Sequence, residues 1–286
     1  MRRLPPAQRE STMKTIIKCV IFGAVLFLSR AAGATPVPLP FTYPYETLQK
    51  GESEDELYGD MIPLRVQADP ADPTKGRLWE PAYVFQNELE YGVSDHVELA
   101  WYQVFEANPL DGGSNSMTFD GFKFRGRFRV AEAGELPVDL AFYVELETLH
   151  DELSLEEKVI LAKRLGPVHW MANLWVEQET YRYLDDSARY ADFVANPTMG
   201  LTYEVAPWFQ PGVEYWGRGT FFAREPTSLD TANPRFHSFL GPTLHFDWGK
   251  LWWSLGVYAN LNDMTAPEPG AAYGPVWVRS LLGINL

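Results

Sequence analysis

Cysteine is nearly absent: the 286 residues contain one, Cys19, inside an N-terminal apolar stretch. That excludes a disulfide framework, a thiolate nucleophile in the body of the chain and a cysteine-based zinc site. Long apolar runs are missing too, since no segment after the N-terminus reaches the ~20 residues of a membrane helix. The five histidines lack paired ligand spacing and no glycine-rich phosphate loop occurs, so no metal or cofactor is nominated. Basic residues are outnumbered, 24 Lys and Arg against 38 Asp and Glu. A chain of net charge −14 lacks the basic face that nucleic acid requires. Two options remain: a soluble protein, or one that crosses a membrane as strands.

The N-terminus reads as an export signal. Lys14 and Lys18 precede an apolar stretch from Cys19 to Leu28, followed by Ala32-Gly33-Ala34 as an A-x-A cleavage site, with Met13 as the more natural start. Removing residues 1–34 leaves 252 residues without cysteine and moves the net charge to about −19. Residues 35–53, "TPVPLPFTYPYETLQKGES", then form a proline-rich extended arm, because proline cannot donate to a sheet ladder. The arm is expected on the periplasmic side, and residues 54–286 form the remaining domain.

That domain alternates apolar and polar residues with period two almost to its last residue. Twelve strands are expected: Glu54–Val66, Pro81–Tyr91, His96–Glu106, Phe119–Val130, Asp139–Thr148, Glu157–Leu165, Val168–Glu179, Thr198–Val205, Gln210–Phe222, Phe236–Asp247, Leu251–Leu261 and Val276–Leu286. Most have the ~9–11 residues that a tilted strand needs to cross a bilayer. Their connections alternate between long and short, with "LHDELSLE" intermediate. With both barrel termini at the periplasmic end, the long loops share one side and the short turns the other. An all-β fold follows: an antiparallel up-and-down transmembrane barrel of about 12 strands.

The stretch Gly121–Val130, "GFKFRGRFRV", decides which face is inside. Phe122, Phe124, Phe128 and Val130 take one parity and Lys123, Arg125, Arg127 and Arg129 the other. Each cation turned to lipid near the midplane costs roughly 2–4 kcal/mol, so the cations line the lumen. A soluble twelve-stranded barrel with the opposite sense would leave its centre unfilled without a large ligand. The same parity directs Glu88, Glu98, Glu145, Glu147, Glu177, Glu214, Arg218 and Arg279 inward. Consecutive inward cations lie ~6.8 Å apart and repel one another unless anions answer them, and Glu145 and Glu147 on the next strand face the same way. Tyr83, Tyr91, Trp101, Trp208, Trp248, Trp252, Trp253 and Trp277 lie near strand ends, where interfacial girdles form.

The stretches "TYPYETLQKGESEDELYGDMIPLRV" and "NELEYGVSDHVELAWYQVFEA" resemble the start of Gram-negative outer-membrane barrels grouped with the MetA-pathway phenol-degradation transporters. The terminal "VWVRSLLGINL" is similar to the strand read by the barrel-assembly machinery, with Leu286 in place of the preferred Phe. The resemblance implies a barrel in the cell outer membrane, in contact with lipid and lipopolysaccharide, and supplies no catalytic residue. The functional expectation is a channel or transporter for small solutes with a charged lumen. A closed structural or adhesive barrel, its lumen filled by ion pairs, is the alternative, and a lipid-modifying enzyme a further one. The outward serines, Ser238 and Ser280, have no histidine on the same face of their own strands. A closed membrane barrel resists detergent unless heated, so the protein recovered from the outer-membrane fraction is expected to shift its gel mobility on boiling; unchanged mobility would contradict a barrel.

Overall fold

The computed structural model describes residues 36–64, 66–69, 72–79, 81–107, 117–150, 152–182, 189–223, 236–262 and 274–286. The export signal expected at residues 1–34 lies outside them. Fifteen strands run in chain order: β1 Ser53–Ile62, β2 Val66–Asp69, β3 Asp72–Trp79, β4 Ala82–Ser94, β5 Val97–Ala107, β6 Thr118–Arg129, β7 Asp139–Leu149, β8 Glu152–Leu165, β9 Val168–Arg182, β10 Arg189–Ala195, β11 Thr198–Tyr203, β12 Phe209–Ala223, β13 His237–Asp247, β14 Leu251–Asn260 and β15 Val276–Asn285. Each wall strand pairs antiparallel with its sequence neighbour, and β1 pairs with both β4 and β15, which closes the sheet. Closure leaves no edge strand to be satisfied in lipid.

The wall contains twelve strands, because β10 and β11 are successive halves of one, both paired with β9 and β12. Asn196 and Pro197 separate them, and the ladder crosses the gap through Asn196 N–H to the Trp175 carbonyl (2.9 Å) and Gly217 N–H to the Pro197 carbonyl (2.9 Å). The sequence pattern begins this strand only at Thr198, since a proline lacking a donor reads as a loop. Two further differences have similar causes. The intermediate connection "LHDELSLE" is mostly strand: β8 starts at Glu152, with Leu153 and Leu155 exposed and Ser154 and Glu156 buried. Acid density there resembles a solvated loop and hides a correct alternation. The first long loop also carries the β2–β3 hairpin, which lies outside the wall.

Short turns gather at the end where β1 begins and β15 finishes. Gly166 (φ 62°) and Gly249 (φ 90°) take left-handed backbone in two of them, which a side chain would oppose. Side-chain exposure settles the sense of the barrel: Phe124 is 58% exposed and Arg125 3%. Leu99, Phe142, Val144, Leu174 and Val176 extend the same outward apolar belt across neighbouring strands. A monomer in water does not keep such a continuous apolar surface, and hydrocarbon covers it instead. Two girdle expectations are corrected: Trp252 is wholly buried in the lumen and donates to Glu54, and the Trp277 indole turns inward to Asp60 (2.8 Å). Adjacent strand residues face opposite ways, so only Trp253 of the Trp252–Trp253 pair points outward. Phe124→Arg, which sets a cation into the belt, is expected to lower folding stability by roughly 2–4 kcal/mol in lipid vesicles; a neutral effect would place that face away from lipid.

Candidate functional site

The inward charges are paired across neighbouring strands. On one side the β6 cations meet acids from three strands, β4, β5 and β7. Lys123 stands opposite Glu147 in register and contacts both Glu147 (3.0 Å) and Glu145 (3.5 Å). Arg125 stands opposite Glu145 but turns its guanidinium the other way, to Glu88 (2.7 Å), Glu98 (2.8 Å) and Glu90. Arg127 shares Glu98 (2.7 Å) and donates to the Pro44 carbonyl (3.3 Å). Arg129 ends the ladder at the short-turn rim on Glu132 (2.6 Å) and the Asp95 carbonyl (2.6 Å), so it lies at the mouth rather than within the lumen. Across the barrel Arg218 holds Glu177 (3.1 Å) and Glu179, and Arg279 holds Asp60 through two bonds of 2.7 Å.

Carboxylates exceed cations throughout. Among the described residues fourteen are buried, against three buried cations, Arg125, Arg127 and Lys158. Several were not singled out from sequence: Glu54, Glu56 and Asp60 on β1 share a strand with Asp55, and acids on both parities blur its alternation. Two triplets, Glu54–Glu56–Glu90 and Glu152–Glu177–Glu179, bring carboxylate oxygens within 4.8 Å of one another and are the groups with donor sets suited to a cation.

The acid excess meets the N-terminal arm. Residues expected at the periplasmic end run inside the barrel, with Val37, Leu39, Phe41, Thr42, Tyr45 and Leu48 all buried. Prolines 36, 38, 40 and 44 remove donors that a polar interior would otherwise have to satisfy. Three remaining N–H groups find side-chain acceptors on the wall: Phe41 donates to Glu214 (3.0 Å), Tyr43 to Asn173 (2.7 Å) and Leu48 to Glu98 (2.8 Å). In return Asn173 donates to the Tyr43 carbonyl (3.1 Å) and Ser254 to the Val37 carbonyl (2.6 Å). Each of three apolar clusters in the lumen contains arm residues: Leu39 and Tyr45 in one, Val37 in the second, Phe41 in the third. Phe41 stacks on Trp216 at 4.2 Å with Arg279 over its ring at 3.8 Å. The wall is shaped for the arm at its root, where a Cβ on Gly92 would lie 2.0 Å from the Gln49 carbonyl oxygen.

Nucleophilic chemistry finds no support in this arrangement. The outward serines have aromatic partners, Ser238 with the Tyr215 hydroxyl (3.2 Å) and Ser280 with the Trp253 indole (2.9 Å). Ser254 lies 2.8 Å from His245 Nδ1, but its one proton goes to the Val37 carbonyl, so the histidine donates and does not act as base.

Among solved structures the fold resembles the COG4313 outer membrane channel from Pseudomonas putida F1, with a TM-score of 0.60, 14% identity, and coverage of 85% of this chain and 98% of that one. It also resembles the NanC porin, with a TM-score of 0.55, 9% identity, and coverage of 82% and 100%. No family model matches the chain and no curated protein does, so the narrower likeness to phenol-degradation barrels gains no support. The likeness is one of fold: a closed antiparallel β-barrel of the outer-membrane kind.

Removing one partner of a buried, multiply paired charge leaves the others uncompensated. Arg125→Ala is therefore expected to destabilise the barrel by roughly 3–5 kcal/mol, and Arg164→Ala at the short-turn rim, whose exposed side chain pairs with Glu204, by under about 1 kcal/mol, measured by urea unfolding in vesicles. Equal losses would contradict the placement of the two arginines.

Proposed function

We propose that the chain forms a Gram-negative outer-membrane channel for small solutes, with its N-terminal arm as a resident plug and its short-turn end in the periplasm. The observation that carries this reading is the occupied lumen: arm residues 36–50 donate to Glu98, Asn173 and Glu214 on opposite walls and accept from Ser254. A structural barrel whose interior is only glue would fill its axis from wall residues. Here the filling is a separate segment attached at one end, with backbone hydrogen bonds of its own. Such a segment can leave without unpairing any wall strand. Backbone donors on carboxylates and prolines without donors make a plug that water can replace bond for bond.

The acid-lined wall exposed by its departure would pass small polar solutes and set their charge preference. A closed structural barrel remains the competing reading, favoured by the ion pairs around Arg125 and Arg127. Planar-bilayer recordings separate the two. The intact chain is expected to conduct little, and deletion of residues 36–50 is expected to raise the single-channel step several-fold. Absence of conductance from the arm-deleted, correctly folded barrel would overturn the channel reading.

A further inference from the structure

Among the buried cations of the described residues one sits much closer to aromatic rings: the Arg125 guanidinium stands 5.8 Å from the Tyr43 centroid, 6.0 Å from Tyr102 and 5.7 Å from Tyr143, whereas the Lys158 ammonium is in direct ring contact. Lys158 on β8 has Tyr143 of β7 and Trp175 of β9 as its cross-strand neighbours, one on each side. Its ammonium lies 3.9 Å from the Tyr143 ring centroid, 3.8 Å from Trp175 and 4.1 Å from Tyr43 of the arm. Tyr43 and Tyr143 are themselves in contact, with centroids 5.0 Å apart. Glu156 pairs with the ammonium, and Tyr143 is fixed by its hydroxyl donating to Glu145 (2.6 Å). Three aromatic rings and a carboxylate around one ammonium make the geometry by which proteins recognise alkylammonium ligands.

We propose that Tyr43, Tyr143 and Trp175, with Glu156, form a binding site for the alkylammonium group of a solute, and that Lys158 occupies it as a tethered stand-in. The substrate class refines the channel reading and rests on it. An entering ammonium exchanges for the lysine head without changing the charge count or the ring contacts of the cage. The flexible four-carbon stem of lysine lets its head withdraw while the backbone stays in the ladder. The surrounding lumen favours this exchange over entry of an anion, since its buried carboxylates far outnumber its buried cations. Two walls of the cage belong to the barrel and the third to the arm, so the site is complete only with the arm seated.

Choline and its neutral isostere 3,3-dimethyl-1-butanol test the site directly by titration calorimetry on refolded protein. Lys158→Met, which removes the competing ammonium from the cage and keeps a flexible stem able to swing aside, is expected to bind choline saturably and at least tenfold more tightly than the wild type. The neutral alcohol is expected not to bind, and Tyr143→Leu in the Lys158→Met background to abolish choline binding. In the wild type, saturating choline is expected to raise reductive methylation of Lys158 several-fold, read by mass spectrometry, with no effect of the alcohol. This second readout needs no variant and stands if Lys158→Met fails to fold. Lack of choline binding by folded Lys158→Met, equal binding of the alcohol, or Lys158 methylation indifferent to choline would overturn the proposal. Neither readout depends on conductance, so a conducting barrel without choline binding refutes the cage alone, and a binding barrel without conductance refutes the channel alone.

Discussion

A strand that alternates phenylalanine with arginine can lie at membrane depth only if its cations turn inward and meet anions there. β6 is that strand, and the rest of the lumen answers it. Arg125 is surrounded by Glu88, Glu90 and Glu98 from two strands, while Lys123 takes Glu145 and Glu147 from the strand on the other side. Carboxylates nevertheless remain in excess, and an ionised group out of water needs donors. The arm supplies some of them through backbone N–H groups, at Phe41 to Glu214 and at Leu48 to Glu98. Charge neutralisation and the seating of the arm are thus one arrangement.

Much of this was legible in the sequence because a barrel wall has a strict two-residue period and a single decision, inside or outside, to make per strand. Phe124 against Arg125 made that decision on energetic grounds, and all twelve wall strands occupy the stretches their alternation marks. Local chemistry interrupted the pattern where it failed: Pro197 hid the upper half of a strand, and the acids of "DELSLEE" disguised the start of another. The role of the arm was not legible. Its alternating Val37, Leu39, Phe41, Tyr43 and Tyr45 reveal an apolar face, but the partners of that face come from β1, β5, β7, β8, β9, β12, β13, β14 and β15 and are assembled only by closure. Asn173, which holds Tyr43 through both its N–H and its carbonyl, carries no charge and gave no signal at all.

The aromatic residues illustrate the same limit. Tyrosine and tryptophan are expected at the membrane interfaces, and Trp253 faces outward accordingly. Trp252 and Trp277 instead face the lumen, alongside Tyr102 and Tyr143, whose parity already points inward, and Trp216 and Tyr258; there hydroxyl and indole groups donate to carboxylates while rings pack on the arm. An amphipathic ring serves both needs of a polar cavity that must also hold an apolar segment. Lys158, enclosed by three such rings, shows how far the interior has moved from a simple water-filled pore.

Beyond residue 19 the chain has no cysteine, so a single cysteine placed at Thr42, which is wholly buried at the centre of the arm, reports the position of the arm without interference. Its reaction with a bulky, membrane-impermeant maleimide in the folded barrel is the most direct measurement. The account predicts labelling at least a hundredfold slower than in the urea-unfolded chain, with an equally placed cysteine at exposed Lys50 labelling freely. Rapid labelling at position 42 in a heat-modifiable, folded barrel would contradict an arm seated by the lumenal carboxylates.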